Sequence, residues 1–386
     1  MRTRRIIKGL LGVLLAFLIA GGVIFFLATR PDESRGTVSV WYVKTDTLAA
    51  GLEELCEEYN STHPRTALPV SLRAFDSEEK LAAECEKSLP DLMLCPHGRA
   101  FDLGARSLLT DLSAELGSAV DYPMTLSSRN TAIGRSFFPI GCDVQALLIN
   151  TALCPDVDVE TGYVDIGTLC RVAQDYTTAS GKPFFAVDDY AALFYTALLR
   201  EGEEFTAAVR RGAESENYKA LYNLLAECAY SGALSQSAAP AAEVCAGALP
   251  CAIIHTSALW RQDCEELRLY PLPRLSAAAE AQTGAQSRLG TAHGLAVTAG
   301  GSRSTDDIAA FLDWLFSSGR DTRLALGSAL VPAQSGSIAT HDEMWSALLS
   351  LADGSITALP GADAEFSVNR ADFNKEFCAK MAFLSE

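Results

Sequence analysis

The sequence predicts an α/β body built on a parallel sheet, carried behind one N-terminal transmembrane helix. Three observations predict it. After residue 37, runs rich in β-branched and aromatic residues alternate with helical apolar stripes. Those runs are apolar on both faces, as strands covered on two sides must be. Residues 9–28 form one uncharged apolar run behind four basic residues.

The N-terminal segment comes first. Arg2, Arg4, Arg5 and Lys8 precede the apolar run, and no acid occurs before Asp32. A helix rises about 1.5 Å per residue, so about 20 residues reach roughly 30 Å, the thickness of a hydrocarbon core. Basic residues before the run and acids after it predict a cytoplasmic N-terminus and an exported body, located outside the cell membrane. A cleaved signal peptide is the alternative, with Ala16, Ala20, Gly21 and Gly22 small enough for a cleavage site. Residues 23–27 extend the apolar run past them and favour the uncleaved anchor. The first cysteine is Cys56, so no residue near the run could carry a lipid.

Residues 31–36 read as a polar linker. Residues 37–43 then read as a strand, with Val38, Val40 and Tyr42 on one face and Ser39, Trp41 and Val43 on the other. Thr45-Asp46-Thr47 can cap a helix. Leu48, Leu52, Leu55, Cys56 and Tyr59 lie on one helical face, which ends near Asn60 ahead of Pro64. Residues 70–74 form a second strand. Asp76 with Glu79 reads as a capping box for a helix carrying Leu81, Ala82, Cys85 and Leu89. Residues 91–95 form a third strand. This order predicts right-handed crossovers and a pocket at the carboxyl ends of the strands. Lys44, Thr45 and Asp46 fall at one such end, and Cys95 to Gly98 at another.

Farther on, residues 137–141 lead into a strand over 144–150. Helices follow over Tyr190–Arg200 and 218–230, then an alanine-rich stretch over 235–248 and a buried strand over Cys251–His255. Residues 276–287 are small and polar and read as a loop. Residues 294–298 form a strand. Ser304 with Asp307 caps a helix carrying Ile308, Phe311, Leu312 and Leu315.

Charge and motifs exclude several function classes. The chain has a net charge of −17. Setting aside the five basic residues of the first thirty leaves 26 basic against 48 acidic groups. Such a surface repels phosphate backbones, so nucleic acid is not an expected partner. The eleven cysteines include no Cys-x-x-Cys pair, which removes the usual zinc framework, and no metal or cofactor is expected. Most cysteines stand among apolar neighbours and read as free thiols used as small hydrophobes. One disulfide within the Cys245, Cys251 and Cys264 group is the alternative. No Gly-x-Ser-x-Gly elbow, His-Glu-x-x-His helix or phosphate loop occurs, and an enzyme is not expected.

Five segments in order carry a resemblance. They are Val38-Ser39-Val40-Trp41-Tyr42 with its helix, Pro90-Asp91-Leu92-Met93-Leu94, Ser107 to Leu112, Phe138-Pro139-Ile140-Gly141 through Leu153, and Gly294 to Thr298 with Ala309 to Leu315. Leu330-Val331-Pro332-Ala333 follows them. This order resembles the family-1 extracellular solute-binding proteins, the maltose-binding-protein-like group. The sequence departs from the family in lacking the lipid-attachment cysteine and in having Ile149 where a tyrosine is common.

The resemblance implies a two-lobed, periplasmic-binding-protein-like (type II) fold with a ligand cleft between the lobes. Lobe one would span 37–143 and 291–318, and lobe two 144–290 and 319–386. It also implies a monomer that captures a small solute, a sugar or oligosaccharide, by hinge closure and delivers it to an ABC-type permease. A sensor subunit and an anchored hydrolase are the alternatives. Candidate ligand contacts are Trp41 and Tyr42 as stacking faces, Asp46 and His97 as polar groups at strand ends, Asp143 at the lobe crossing and Trp260 from lobe two. Core packing competes for the aromatics, helix capping for Asp46 and a surface loop for His97. Arg261 beside Trp260 could pair with an anion, and His293 reads as structural.

Overall fold

The structure, a computed structural model, describes residues 36–63, 67–116, 134–154, 164–200, 215–260, 262, 267–275, 288–301, 303–333, 342–351, 356–358 and 364–385. The membrane helix expected over 1–30 and the loop expected over 276–287 lie outside these residues. Among the described residues, no helix is long and apolar enough to cross a membrane.

The N-terminal third folds as strand–helix units. They are β1 (Val38–Val43), α1 (Ala49–Thr62), β2 (Val70–Phe75), α2 (Glu78–Cys85), β3 (Leu92–Pro96), α3 (His97–Ala105) and the single turn α4 (Ser113–Leu116). β1 pairs in parallel with β2 on one side and β3 on the other. Ser77, not Asp76, caps α2, its hydroxyl accepting from the Lys80 N–H at 3.4 Å. Asp76 is held instead by the ammonium groups of Lys44 and Lys80 at 2.8 and 2.7 Å.

A long strand, β4 (Phe137–Asn150), follows. Then come α5 (Ile166–Ser180), β5 (Phe185–Val187), α6 (Tyr190–Arg200), α7 (Glu216–Tyr230), β6 (Leu234–Ser235), α8 (Pro240–Cys245), β7 (Cys251–His255) and β8 (Leu267–Pro271). The remainder is β9 (Arg288–Val297), α9 (Thr305–Phe316), α10 (Arg320–Gly327), β10 (Val331–Pro332), α11 (Glu343–Leu351), β11 (Ile356–Ala358) and α12 (Ala364–Ser385).

Two sheets share β4. In the first, Phe137 to Val144 pair antiparallel with β9, which pairs antiparallel with β3. In the second, Gln145 to Asn150 lie between β7 and β8, both antiparallel to them, and β7 continues in parallel to β5 and β6. The sheets are therefore mixed, and the purely parallel expectation holds only for β1–β2–β3, for β5–β6–β7 and for β9–β11. Pairing between β4 and β9 is broken by a bulge between Pro139 and Gly141. The bulge changes which face β4 presents: Phe138 and Ile140 enter one apolar layer, while Cys142, Val144, Ala146 and Leu148 enter another. Close approach there needs Gly294, because a Cβ on it would meet the Phe138 carbonyl oxygen at 2.2 Å.

Three apolar layers result. One lies under α1, α9 and α10 on the first sheet and contains Leu48, Leu52, Phe311 and Leu324. One runs beneath both sheets and contains Trp41, Met93, Val144, Ile254 and Leu348. The last lies under α5, α6, α7 and α12 on the second sheet and contains Leu169, Phe194, Leu225 and Phe377. The placement of 319–386 with the second sheet fails for α10 and β10. Leu324, Ala325 and Leu330 pack in the α1–α9 layer, and Val331 and Pro332 pair with Cys142 and Gly141. The bare backbone of Gly51 permits this: a Cβ there would lie 2.4 Å from Leu324 Cδ1.

The thiols follow the sequence reading in the main. Cys56, Cys85, Cys95, Cys142, Cys154, Cys170, Cys228 and Cys251 are buried and outside any disulfide, and Cys378 is half-buried and likewise outside one. Cys245 is disulfide-bonded, which realises the alternative for one cysteine, while Cys251 stays a free thiol.

Candidate functional site

α1, α10 and Trp260 border a groove of about 500 Å³. One wall is α1 with Thr47 two residues before it, contributing also Ala50, Gly51, Glu54 and Glu58. The other is α10, contributing Arg320, Arg323 and Ser328. Trp260, which follows the strand β7 of the second sheet, reaches this groove on the first. Arg320 is already engaged. Its guanidinium lies 4.3 Å from the Trp314 ring centroid and 3.5 Å from the Glu58 carboxylate.

Trp260 is placed by Asp143. A 3-10 turn over Thr256–Leu259 separates β7 from Trp260. Asp143 sits on β4 where the strand passes from one sheet to the other. Its Oδ1 accepts from the Ser257 N–H at 2.9 Å and the Thr256 hydroxyl at 3.2 Å, and its Oδ2 accepts from the Ser257 hydroxyl at 2.6 Å. The crossing strand thereby fixes the turn that carries the groove's aromatic residue.

Two histidine–carboxylate pairs flank Asp143. His293 on β9 contacts Asp46 through Nδ1 at 3.2 Å, and Asp46 also accepts from the Leu48 N–H at 2.9 Å. Burial works against a charge on His293. The Asp46 hydrogen bond and the carboxylates of Asp46, Asp143 and Glu78 outweigh it, and the pKa is raised. On the second sheet, His255 Nδ1 lies 3.0 Å from Asp188 Oδ2. Burial again opposes the charge, but Asp188, Asp143 and Asp189 raise the imidazole to about 9. Gln145 donates to Asp188 at 2.9 Å and to the Asp189 carbonyl at 2.8 Å. Asp189 also pairs with Arg370 and accepts from Asn374 at 3.0 Å, both on α12.

Of the residues expected from sequence, Trp260 lines the groove, and Asp46 and Asp143 converge on His293. Trp41 and Tyr42 do not line it. Trp41 packs in the core at 5.3 Å from the Phe75 ring, with the Arg73 guanidinium 4.8 Å over its face. Tyr42 is buried on the opposite face and donates its hydroxyl to Glu53. His97 is not on a surface loop. It is the first residue of α3, 1 % exposed, edge-on to Phe137 at 5.5 Å, with neither ring nitrogen hydrogen-bonded. Burial pushes it down to about 4, so it is a neutral core side chain. Arg261 lies outside the described residues. Sequence reasoning missed Asp188 and Asp189, although an acidic doublet directly after a strand was a signal. It also missed Arg370, which arrives from a helix about 180 residues away and left no local sign.

No protein-family model matches the chain, and no curated protein matches it in sequence. Solved structures do match. The cyclic alpha-maltosyl-1,6-maltose binding protein from Arthrobacter globiformis superposes with a TM-score of 0.69 at 18 % identity, covering 91 % of this chain and 95 % of that one. A chitin oligosaccharide binding protein gives 0.66 at 16 % identity, over 90 % and 96 % of the two chains. The GacH receptor of Streptomyces glaucescens GLA.O, solved without ligand and with acarbose, gives 0.64 at 17 % identity, over 91 % and 93 %. The chain thus has the mixed α/β fold of the solute-binding proteins that its sequence resembles. Each of the three proteins is named for binding, not for a reaction.

Proposed function

We propose that this protein is an extracytoplasmic carbohydrate receptor that binds without catalysing. The observation that carries this reading is the groove itself, in which Trp260 from beyond β7 faces α1 and α10 of the first sheet. An indole beside carboxylates and guanidinium groups suits a sugar, whose ring face stacks while its hydroxyls hydrogen-bond. The fold supports it too, since each matched structure named above belongs to a binder of saccharides or of acarbose.

The two sheets with their helices are then the two lobes, joined through β4, and closure brings Trp260 of the second onto a ligand held between α1 and α10 of the first. In this reading Asp143 positions Trp260, and Asp46 shapes the rim. Delivery of the sugar to an ABC-type permease, and tethering through residues 1–30, complete the assignment. The apolar run and its basic flank support the tether.

The test is a thermal-shift and calorimetric panel on the full chain, with maltotriose, chitotriose, polyamines and amino acids. One saccharide is expected to raise the melting temperature without being consumed. Trp260→Ala is expected to weaken its binding by about tenfold to a hundredfold. Turnover of the bound sugar, or stabilisation by a non-saccharide alone, would sink the reading.

A further inference from the structure

The described carboxylates at the centre of the molecule outnumber the cations. Around His293 stand Asp46 from the β1–α1 loop, Asp143 from β4 and Glu78 from the start of α2. Arg99 on α3 is the further cation beside Glu78. Around His255 stand Asp188 and Asp189 from the end of β5 and Asp143 from β4. Arg370 on α12 is the further cation there, with its Nη2 at 3.4 Å from His255 Nε2. His255 and His293 side chains are only 17 and 18 % exposed, and Asp46 only 6 %. Water therefore screens these charges poorly.

We propose that His255 and His293 form a proton-operated lock at the point where β4 passes from β9 to β7. With protons on, His293 ties the Asp46 loop to β9, and His255 ties the end of β5 to β7. Both also offset Asp143 between them. When the protons leave for solvent, Asp46, Asp143 and Glu78 remain close together with one guanidinium nearby. Asp188, Asp189 and Asp143 remain likewise around His255, with Arg370 paired to Asp189. Like-charge repulsion in a half-dry site then loosens β4 and its partner β9 beside the passage between the two sheets. Neutral His255 can accept from Arg370 through Nε2, a contact that the protonated ring refuses because that nitrogen then carries a hydrogen. Arg370 Nη2 already stands 3.4 Å from Nε2, so opening turns this approach into a hydrogen bond that α12 feels. As regulation of the groove, the lock rests on the receptor reading above, but its mechanics need no ligand.

Deuterium exchange of the full chain in mild detergent, from pH 6 to pH 10, tests it. Rates are divided by those of an unstructured peptide at each pH. Protection in β4 and β9 is expected to fall as pH rises. The fall should be about tenfold for every pH unit separating the folded-state titration from that of a free imidazole. Protection in α5 and α7 should stay level. A flat profile in β4 and β9, or an equal fall everywhere, would overturn the proposal. Carbon-13 ring spectra of the five histidines, assigned by single replacement, give a second readout on the wild-type chain. His255 and His293 titrating at the free-imidazole value would also overturn it. The pair His255→Gln and His293→Gln is expected to exchange at pH 6 as the wild type does at pH 10. If that pair fails to fold, the wild-type spectra and exchange profile decide alone. Neither readout depends on a sugar, so failure of the receptor reading would leave this result standing.

Discussion

His97 and His255 both follow or end a strand, and they titrate in opposite directions. Burial alone acts on His97 and pushes it down to about 4. The unfolded chain takes a proton near pH 6.5 and the folded chain does not, so stability falls as pH drops from about 6.5 toward 4. Asp188, Asp143 and Asp189 prevail over burial at His255 and raise it to about 9. Its contribution is complete below about pH 6.5 and is lost as pH rises through about 9. Each effect is on the order of 3 kcal/mol. Urea denaturation at pH 4.5, 6.5 and 9.5 checks both. His97→Leu is expected to flatten the acid limb and His255→Asn the alkaline one. Equal pH profiles in wild type and variants would refute the assignment. The sequence singled out Asp46 and Trp260 because α/β folds build pockets beyond strand ends, and Asp143 because the chain changes lobes there. It misplaced Trp41 and Tyr42 because β1 is an interior strand covered on both sides. Its own two-sided apolar pattern already said so.

At the element scale, the strand–helix units were legible wherever a cap and a period-3.6 stripe coincided. Ser304 is the clear case. Its hydroxyl accepts from the Asp307 N–H at 3.3 Å and donates to the Asp307 carboxylate at 2.6 Å. Ser304→Ala is expected to cost about 1 kcal/mol, read from the urea midpoint. The antiparallel entry of β9 was not legible, because strand direction depends on where the chain returns from, and no local pattern encodes that. Likewise, residues 137–141 and 144–150 looked like separate runs because the bulge after Pro139 breaks their alternation. Gly294 marks the same spot from the partner strand. Gly294→Val forces a side chain against the Phe138 carbonyl and is expected to destabilise by more than about 2 kcal/mol. A wild-type melting curve for that variant would show that the β4–β9 contact is looser than described.

At the scale of the whole molecule, the thiols report on the integrity of all three apolar layers. Cys378 is half-buried, whereas the eight other cysteines outside any disulfide among the described residues are buried in either sheet or its helices. Burial also raises the pKa of Cys56 to about 12 and, outside the ordinary thiol range, that of Cys95, Cys142 and Cys251. A thiol reagent at pH 8 is expected to modify Cys378 first and the eight buried thiols only on unfolding in guanidinium. Rapid labelling of Cys142 in the native state would contradict the packing along β4. A two-part body was readable only through the resemblance that the order of segments carried. The return of α10 and β10 to the first sheet was not, since it depends on Gly51 admitting Leu324 across a helix pair.

The continuity of β4 carries an evolutionary consequence. One residue added between Asp143 and Gln145 would swap one buried face for the other at every later position to Asn150. Leu147 and Ile149 would leave the layer that holds Leu169 and Phe194, and Ala146 and Leu148 would enter it. Length variation among descendants of this gene should therefore gather in the connections and spare this stretch.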